Sequence, residues 1–256
     1  MSAASRVSAK VHKWLALLMA IQILFWFVSG LFFAVFPIER VRSEHMMAEQ
    51  PARPVPFGVA ADGLLRLGSA GVTGEKVELR TLLDRPVALV SQNEGRPRLY
   101  DLTTGRQISP IPGTMAVVIA ERDHVGDLRA RRIERVTEES TEYRGALPAW
   151  RIDFDDGANR ALYVAADTGA VTARRSTLWR TFDFLWSLHI MDFKNHEDFN
   201  TPLLIVATAL ALVVIVTGIV MFPARLGYNK WRRRRRRAAS NVARTPADDR
   251  PAGTIS

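Results

Sequence analysis

The chain has 256 residues, 48% of them hydrophobic, no cysteine, and 35 Lys and Arg against 26 Asp and Glu, for a formal net charge of +9. That length holds one or two domains. The lack of cysteine excludes disulfides, thiolate zinc sites, iron–sulfur clusters, a cysteine nucleophile and haem attached through C-x-x-C-H.

The N-terminal tail, residues 1–13, carries Arg6, Lys10 and Lys13 and no acid. Residues 14–38 follow without a charge, 25 residues rich in Leu, Phe and Ile. A helix rises about 1.5 Å per residue and a bilayer core of about 30 Å takes roughly 20 apolar residues, so this run spans. It is too long for the apolar part of a signal peptide, and no A-x-A-like site follows it, so it reads as a retained transmembrane helix. Residues 39–56 form a juxtamembrane segment.

Residues 57–176 hold an internal repeat. PVALVSQNEGRPRLYDLTTGRQI at 86–108 is matched by PAWRIDFDDGANRALYVAADTGAVT at 148–172. In the second copy Trp150, Ile152 and Phe154 alternate with Arg151, Asp153 and Asp155, the period of a half-buried strand. Asp156-Gly157 is a hairpin signal, with Glu94-Gly95 in its place in the first copy. Thr104-Gly105 and Thr168-Gly169 mark second turns, where glycine takes positive φ. Each hairpin follows a helical stretch and a strand: Val59–Leu67 and Lys76–Leu83, then Thr114–His124 and Arg131–Thr137. The expected fold is therefore an α+β region of two helix-plus-antiparallel-sheet units, 57–112 and 113–176, between two transmembrane helices. Neither unit is large enough to bury a deep core alone, so the two are expected to pack side by side or on the membrane surface.

Residues 177–200 read as an amphipathic interfacial helix, Thr177–Phe193, and a linker. Leu178, Phe182, Leu185, Trp186, His189 and Phe193 share one face, and Arg180, Asp183 and Ser187 lie off it. Residues 201–224 form the second uncharged run, 24 residues long. The tail 225–256 holds 10 basic and 2 acidic residues, including KWRRRRRR at Lys230–Arg237, and its polar end reads as disordered.

The tails thus carry +3 and +8, while residues 39–200 carry −2. Positive flanks stay cytoplasmic, which places both termini inside and residues 39–200 outside. Trp14, Tyr228 and Trp231 fit an aromatic belt. The arginine run reads as a topology anchor on anionic lipid and not as a nucleic-acid site, since no folded module or aromatic interleaving accompanies it.

The second unit, with its A-D-T-G turn, resembles a PepSY domain, and the first resembles a more divergent copy. VHKWLALLMAIQILFWFVSGLFFA, with His12 ahead of the apolar run and Ser29-Gly30 inside it, resembles the first helix of PepSY-associated transmembrane proteins. LWSLHIMDF followed by FNTPLLIV and VTGIVMF resembles their closing segment. The resemblance covers roughly residues 10–223. It implies a bacterial inner-membrane protein with a periplasmic PepSY region. Larger members have four or more membrane helices, so a two-helix chain is expected to act as a homodimer or with a membrane-complex partner. Some larger members are implicated in siderophore uptake and reduction, with haem on membrane histidines. Soluble PepSY modules are associated with protease control.

Five histidines are present: His12, His45, His124, His189 and His196. Neutral imidazole is the one strong haem ligand this chain offers in number. The candidate ligands for a non-covalent haem b are His189, in its aromatic stripe, His45, and His12, which sits where the family has a histidine. If the first helix continues past Pro37, His45 stands about 13 Å beyond Phe36 and a His45/His189 pair is within reach. The bilayer keeps His12 from sharing a ligand with either. Met46, Met47 and Met191 are reserve ligands, and His124 and His196, in polar loops, are given no role. Neither membrane run has a central histidine; Gln22, Ser29, Thr208 and Thr217 are its notable polar residues, and Ser29-Gly30 and Gly218 permit close helix approach.

No nucleotide, serine-hydrolase or zinc-protease motif is present. Thr168–Thr172 is similar to a covalent-flavin attachment sequence, but Val171 breaks the pattern. Asp153, Asp155 and Asp156 read as a solvated turn rather than a calcium site. The expected function is an accessory component, not catalytic on its own, of iron/siderophore or haem-linked redox processes. The alternative is a membrane-anchored interaction module that regulates a periplasmic protease or envelope partner.

Overall fold

The computed structural model describes residues 3–49 and 53–225, and Arg235. The basic run around Arg235, with Tyr228 and Trp231, otherwise lies outside the described residues. The chain forms two compact units, residues 1–25 with 200–256, and residues 26–199.

The first unit contains the start of helix α1 (Ala3–Val35) and helix α6 (Pro202–Arg225). Their apolar spans, Ala9–Val35 and Pro202–Phe222, are long enough to cross a bilayer. Leu18 is 70% exposed and Val220 70%, as for lipid-facing helices and not for the core of a soluble protein. Among the described residues the buried apolar side chains of this unit are Met19, Ala207 and Ala211. Small residues such as the two alanines let helix backbones approach.

The second unit opens with the last turns of α1. The helix stops at Val35 and does not run on through Pro37, which instead caps a short helix α2 (Ile38–Val41). Proline disfavours helical geometry at the residue before it and has no N–H to donate, so the last bond of the ladder is Phe36 N–H to Phe32 O at 3.0 Å and the ladder breaks at Pro37. A 3-10 turn, Glu44–Met46, comes next.

Helix α3 (Phe57–Ser69) precedes an antiparallel sheet β1 (Lys76–Leu82), β2 (Arg85–Ser91), β3 (Arg98–Asp101), in that order. Helix α4 (Gly113–Asp123) precedes a second sheet, β4 (Ala130–Val136), β5 (Ala149–Phe154), β6 (Ala161–Ala165) and β7 (Val171–Arg175). The α+β expectation and its two sheets hold. The repeat is visible at its turns: Gly105 N–H donates to Asp101 O at 2.7 Å and Gly169 N–H to Ala165 O at 2.8 Å, with both glycines left-handed, φ 72° and 69°. After the turn the copies differ. The second continues as β7, whereas the first makes one bridge, Tyr100 to Gln107, before Pro110 and Pro112. Proline lacks the amide hydrogen that a ladder needs.

Within residues 26–199 the two helix-on-sheet repeats share a core. Val87 and Leu99 of the first sheet meet Ile152, Phe154, Leu162 and Val164 of the second around Ala116, Ile119 and Ala120 of α4. The other face of the first sheet, Ala88, Val90 and Tyr100, packs with Leu67 of α3 and Leu102. Strand β2 is therefore covered on both faces, each buried Val or Leu contributing about 1.5–3 kcal/mol. On the far face of the second sheet Tyr163 stacks on Tyr143 of the 137–148 loop, centroids 4.4 Å apart.

Candidate functional site

Helix α5 (Thr177–Ile190) is capped by Ser176, whose hydroxyl accepts from Trp179 N–H at 3.2 Å. It ends three residues before the expected Phe193, because Met191 turns left-handed at φ 55°. Phe193 lies past the helix and is 59% exposed, so it leaves the aromatic face. The return loop is wound on Asp192, whose carboxylate accepts from the amides of Asp198, Asn195, Glu197 and Lys194. Those amides hold its carboxyl well below the usual range.

The aromatic face of α5 packs on the last turns of α1. Phe33 lies 4.7 Å from Phe182, 5.8 Å from Trp186 and 5.5 Å from His189, centroid to centroid. Trp186 and His189 are parallel at 6.4 Å. Two polar contacts fix residue 189. The Trp26 indole N–H donates to the His189 carbonyl at 2.8 Å, satisfying a last-turn carbonyl that the helix itself leaves open. The fully buried Ser29 Oγ lies 2.7 Å from His189 Nδ1. Ser29 Oγ also reaches Trp26 O at 3.3 Å. With the hydroxyl hydrogen on that carbonyl, Oγ accepts from Nδ1–H. Among the described residues no hydrogen bond reaches His189 Nε2. Burial pushes the His189 pKa down, so the ring is neutral near pH 7.

The opposite face of α5 is polar and docked. Arg180 Nε donates to Glu142 at 2.5 Å, and Asp183 meets His196 Nδ1 at 2.6 Å. The helix is thus bracketed between α1 and the α+β region instead of lying loose on a membrane surface.

His12 has the same arrangement in the other unit. Its Nδ1 is 2.8 Å from Thr217 Oγ1, and Thr217 donates its own hydrogen to Val213 O at 2.7 Å. The hydroxyl then accepts from Nδ1–H, which leaves Nε2 to other partners. Gly218 makes the approach close: a Cβ there would stand 3.3 Å from His12 Cε1.

His45 is exposed on the 3-10 turn, and among the described residues it makes no hydrogen bond or ring contact with His189. The turn is tied elsewhere, by Val125 N–H to Met46 O at 2.9 Å and Ala48 N–H to Asp123 O at 2.8 Å. His124 and His196, assigned no role from the sequence, are both structural. His124 is 7% exposed and accepts from Arg160 at 2.8 Å, and His196 pairs with Asp183. The Asp153–Asp156 acids are spent locally, Asp153 on Arg151 and Asp156 on Arg160.

Haem b is held by axial imidazoles among apolar walls. The surroundings of His189 fit one such ligand: Nδ1 engaged by a hydroxyl, a neutral ring, aromatic neighbours and an unengaged Nε2. Among the described residues no hydrogen bond or ring contact joins His189 to a second histidine. Those residues also hold no cluster of three His, Asp or Glu suited to a bare metal ion.

A family model described as PepSY-associated TM region matches residues 9–245. No curated protein and no solved structure matches the chain.

Proposed function

The chain belongs to the family with a PepSY-associated TM region, and from that premise we propose that it is an inner-membrane accessory component of iron/siderophore or haem-linked redox processes. In this reading the two helix-on-sheet units are PepSY-like and periplasmic, and both termini are cytoplasmic. His189 and His12 are its ligand residues, one for each face of the membrane, and His45 is the weakest of the three candidates.

The observation that carries the reading is the shared treatment of two imidazoles. Each is held through Nδ1 by a hydroxyl on a membrane helix, Ser29 or Thr217, and each keeps Nε2 for another partner. An orienting bond of this kind fixes the tautomer and ring plane of a metal-bound histidine. Haem, when bound, supplies one-electron chemistry at its iron. Ser29 and Trp26 position His189, and Phe33 and Trp186 exclude water from its flanks. A second ligand for haem would come from a second copy or a membrane partner.

The test is haem content by pyridine haemochrome on detergent-purified protein from haem-replete cells. Wild type is expected to hold haem, His189→Ala to lose the share held at that face, and His12→Ala/His189→Ala to lose nearly all of it; equal haem in wild type and His189→Ala, or none in either, contradicts the reading.

A second reading, an interaction module for a periplasmic protease or envelope partner, draws on β1. It is an edge strand paired only with β2, with Val77 45% exposed, and such an edge accepts an added strand. Cross-linking of a periplasmic protein to residue 77, with no cofactor present, would favour it.

A further inference from the structure

Between the second sheet and the start of α5 lies a cavity of about 380 Å³. It is lined by five arginines, Arg131, Arg132, Arg151, Arg160 and Arg180, against two carboxylates, Glu142 and Asp153. The arginines are there for identifiable reasons. In a regular strand Arg131 and Arg132 would point to opposite faces. The pairing of β4 with β5 shifts register between Ala130 and Arg132, and a bulge of this kind turns neighbouring side chains to one side. Arg180 comes from the first turns of α5, Arg151 from β5, and Arg160 from the turn before β6.

Carboxylates hold three of these guanidinium groups by one edge. Glu142 takes Arg151 Nη1 at 2.6 Å and Arg180 Nε at 2.5 Å. Asp153 takes Arg151 Nε at 2.8 Å, and Arg160 Nη1, which donates to His124 Nε2 at 2.8 Å, forms an ion pair with Asp156 at 2.9 Å. Arg180 Nη1 donates to Asn159 O at 2.8 Å. In all three, Nη2 makes no hydrogen bond among the described residues, although the side chains are only 28%, 34% and 19% exposed for Arg151, Arg180 and Arg160. Arg131 and Arg132 have only loose, exposed ion pairs, with Asp155 at 3.9 Å and Glu134 at 3.0 Å. At the cavity wall itself five guanidinium groups face two carboxylates, and the Nη2 groups of Arg151, Arg160 and Arg180 are held donors without an acceptor among the described residues, the chemistry of oxyanion recognition.

The cavity also has a place relative to the membrane helix. His189 meets Ser29 and Phe182 meets Phe33, so α5 runs antiparallel to α1. Arg180, two residues before Phe182, then stands level with the end of the apolar span at Val35. That is the height of lipid headgroups, and Trp179, stacked under Arg175 at 4.0 Å, is an interfacial residue type at the same level.

We propose that this arginine-lined cavity is an oxyanion site that binds a phosphate group, independently of any haem chemistry. The phosphate is either the phosphodiester of an anionic lipid headgroup or that of a small soluble phosphate.

The test is calorimetric titration of the full-length, delipidated protein in neutral detergent. The probes are sodium phosphate, with sodium chloride at equal ionic strength as control, and dihexanoyl-phosphatidylglycerol below its micellar concentration. Wild type, Arg180→Gln and the double variant Arg131→Gln/Arg132→Gln are compared. The double variant lies on an exposed strand and leaves every Glu142 contact in place, so it decides the matter if Arg180→Gln does not fold. Saturable binding to wild type, weakened at least about tenfold in the variants, is expected. Binding of both probes identifies a soluble phosphate as sufficient, and binding of the lipid alone identifies the headgroup. No saturable binding of either, or variants that bind as wild type does, overturns the proposal.

Discussion

Glu142→Gln is the most informative single change in the α+β region. The carboxylate joins three elements: it accepts from Arg151 at 2.6 Å, Arg180 at 2.5 Å and the Tyr163 hydroxyl at 3.0 Å. Its side chain is 19% exposed. Glutamine keeps the shape but brings an NH₂ group against two guanidinium groups. Breaking a fully buried pair costs about 3–5 kcal/mol, and solvent access here reduces that to about 2–3 kcal/mol. For a domain of this size the melting temperature should fall by about 5–10 °C at pH 7. The pH dependence adds a second signature. Burial pushes the Glu142 pKa up, but the charges of Arg151 and Arg180 outweigh it and the net shift is downward. A lowered carboxyl pKa gives stability that is complete above the ordinary value of about 4.3 and is lost as pH falls through the folded value. Wild type should therefore lose its advantage over Glu142→Gln as pH falls below about 4. The assay is thermal unfolding in detergent between pH 3 and pH 7, followed by near-ultraviolet circular dichroism. Equal melting temperatures at pH 7 would refute the reasoning.

Trp26→Phe keeps a ring but removes the donor to His189 O, and should cost about 1 kcal/mol, read as a lower melting temperature. Gly63→Ala should cost about 1–3 kcal/mol by thermal unfolding, because its Cβ would lie 2.5 Å from Leu102 Cδ2 and 2.9 Å from Leu102 O. Burial and then the Arg160 charge push the His124 pKa down. A histidine kept neutral in this way gives stability that is complete above about 6.5 and is lost as pH falls toward the folded value, so His124→Gln should flatten the stability profile between pH 6.5 and pH 5.

Much of the architecture is legible from the residues because the signals are local. Charge-free runs mark α1 and α6, the alternation at Trp150–Phe154 marks β5, and the Thr-Gly pairs mark equivalent turns. The break at Pro37 could have been read from proline chemistry. The hairpin between β1 and β2 could not: it turns on Leu83 and Asp84, at φ 49° and 66°, with no glycine to announce it. The candidate site was half legible. His189 and its aromatic stripe follow from helical spacing, and Ser29 and Thr217 stand out as polar residues in apolar runs. Which imidazole each holds was not legible, because 160 and 205 positions separate the partners. Separations of 36 and 38 positions likewise hide His124 against Arg160, and the Arg180–Glu142 contact that turns the polar face of α5 inward.

The most direct test of the ligand account is the reduced-minus-oxidised absorption spectrum of the purified protein, for wild type, His189→Ala and Ser29→Ala. Wild type should show a Soret band with sharp reduced α and β bands. His189→Ala should lose or shift them, and Ser29→Ala should weaken them by loosening the ring. A featureless wild-type spectrum from haem-replete cells, or bands unchanged in His189→Ala, would contradict it.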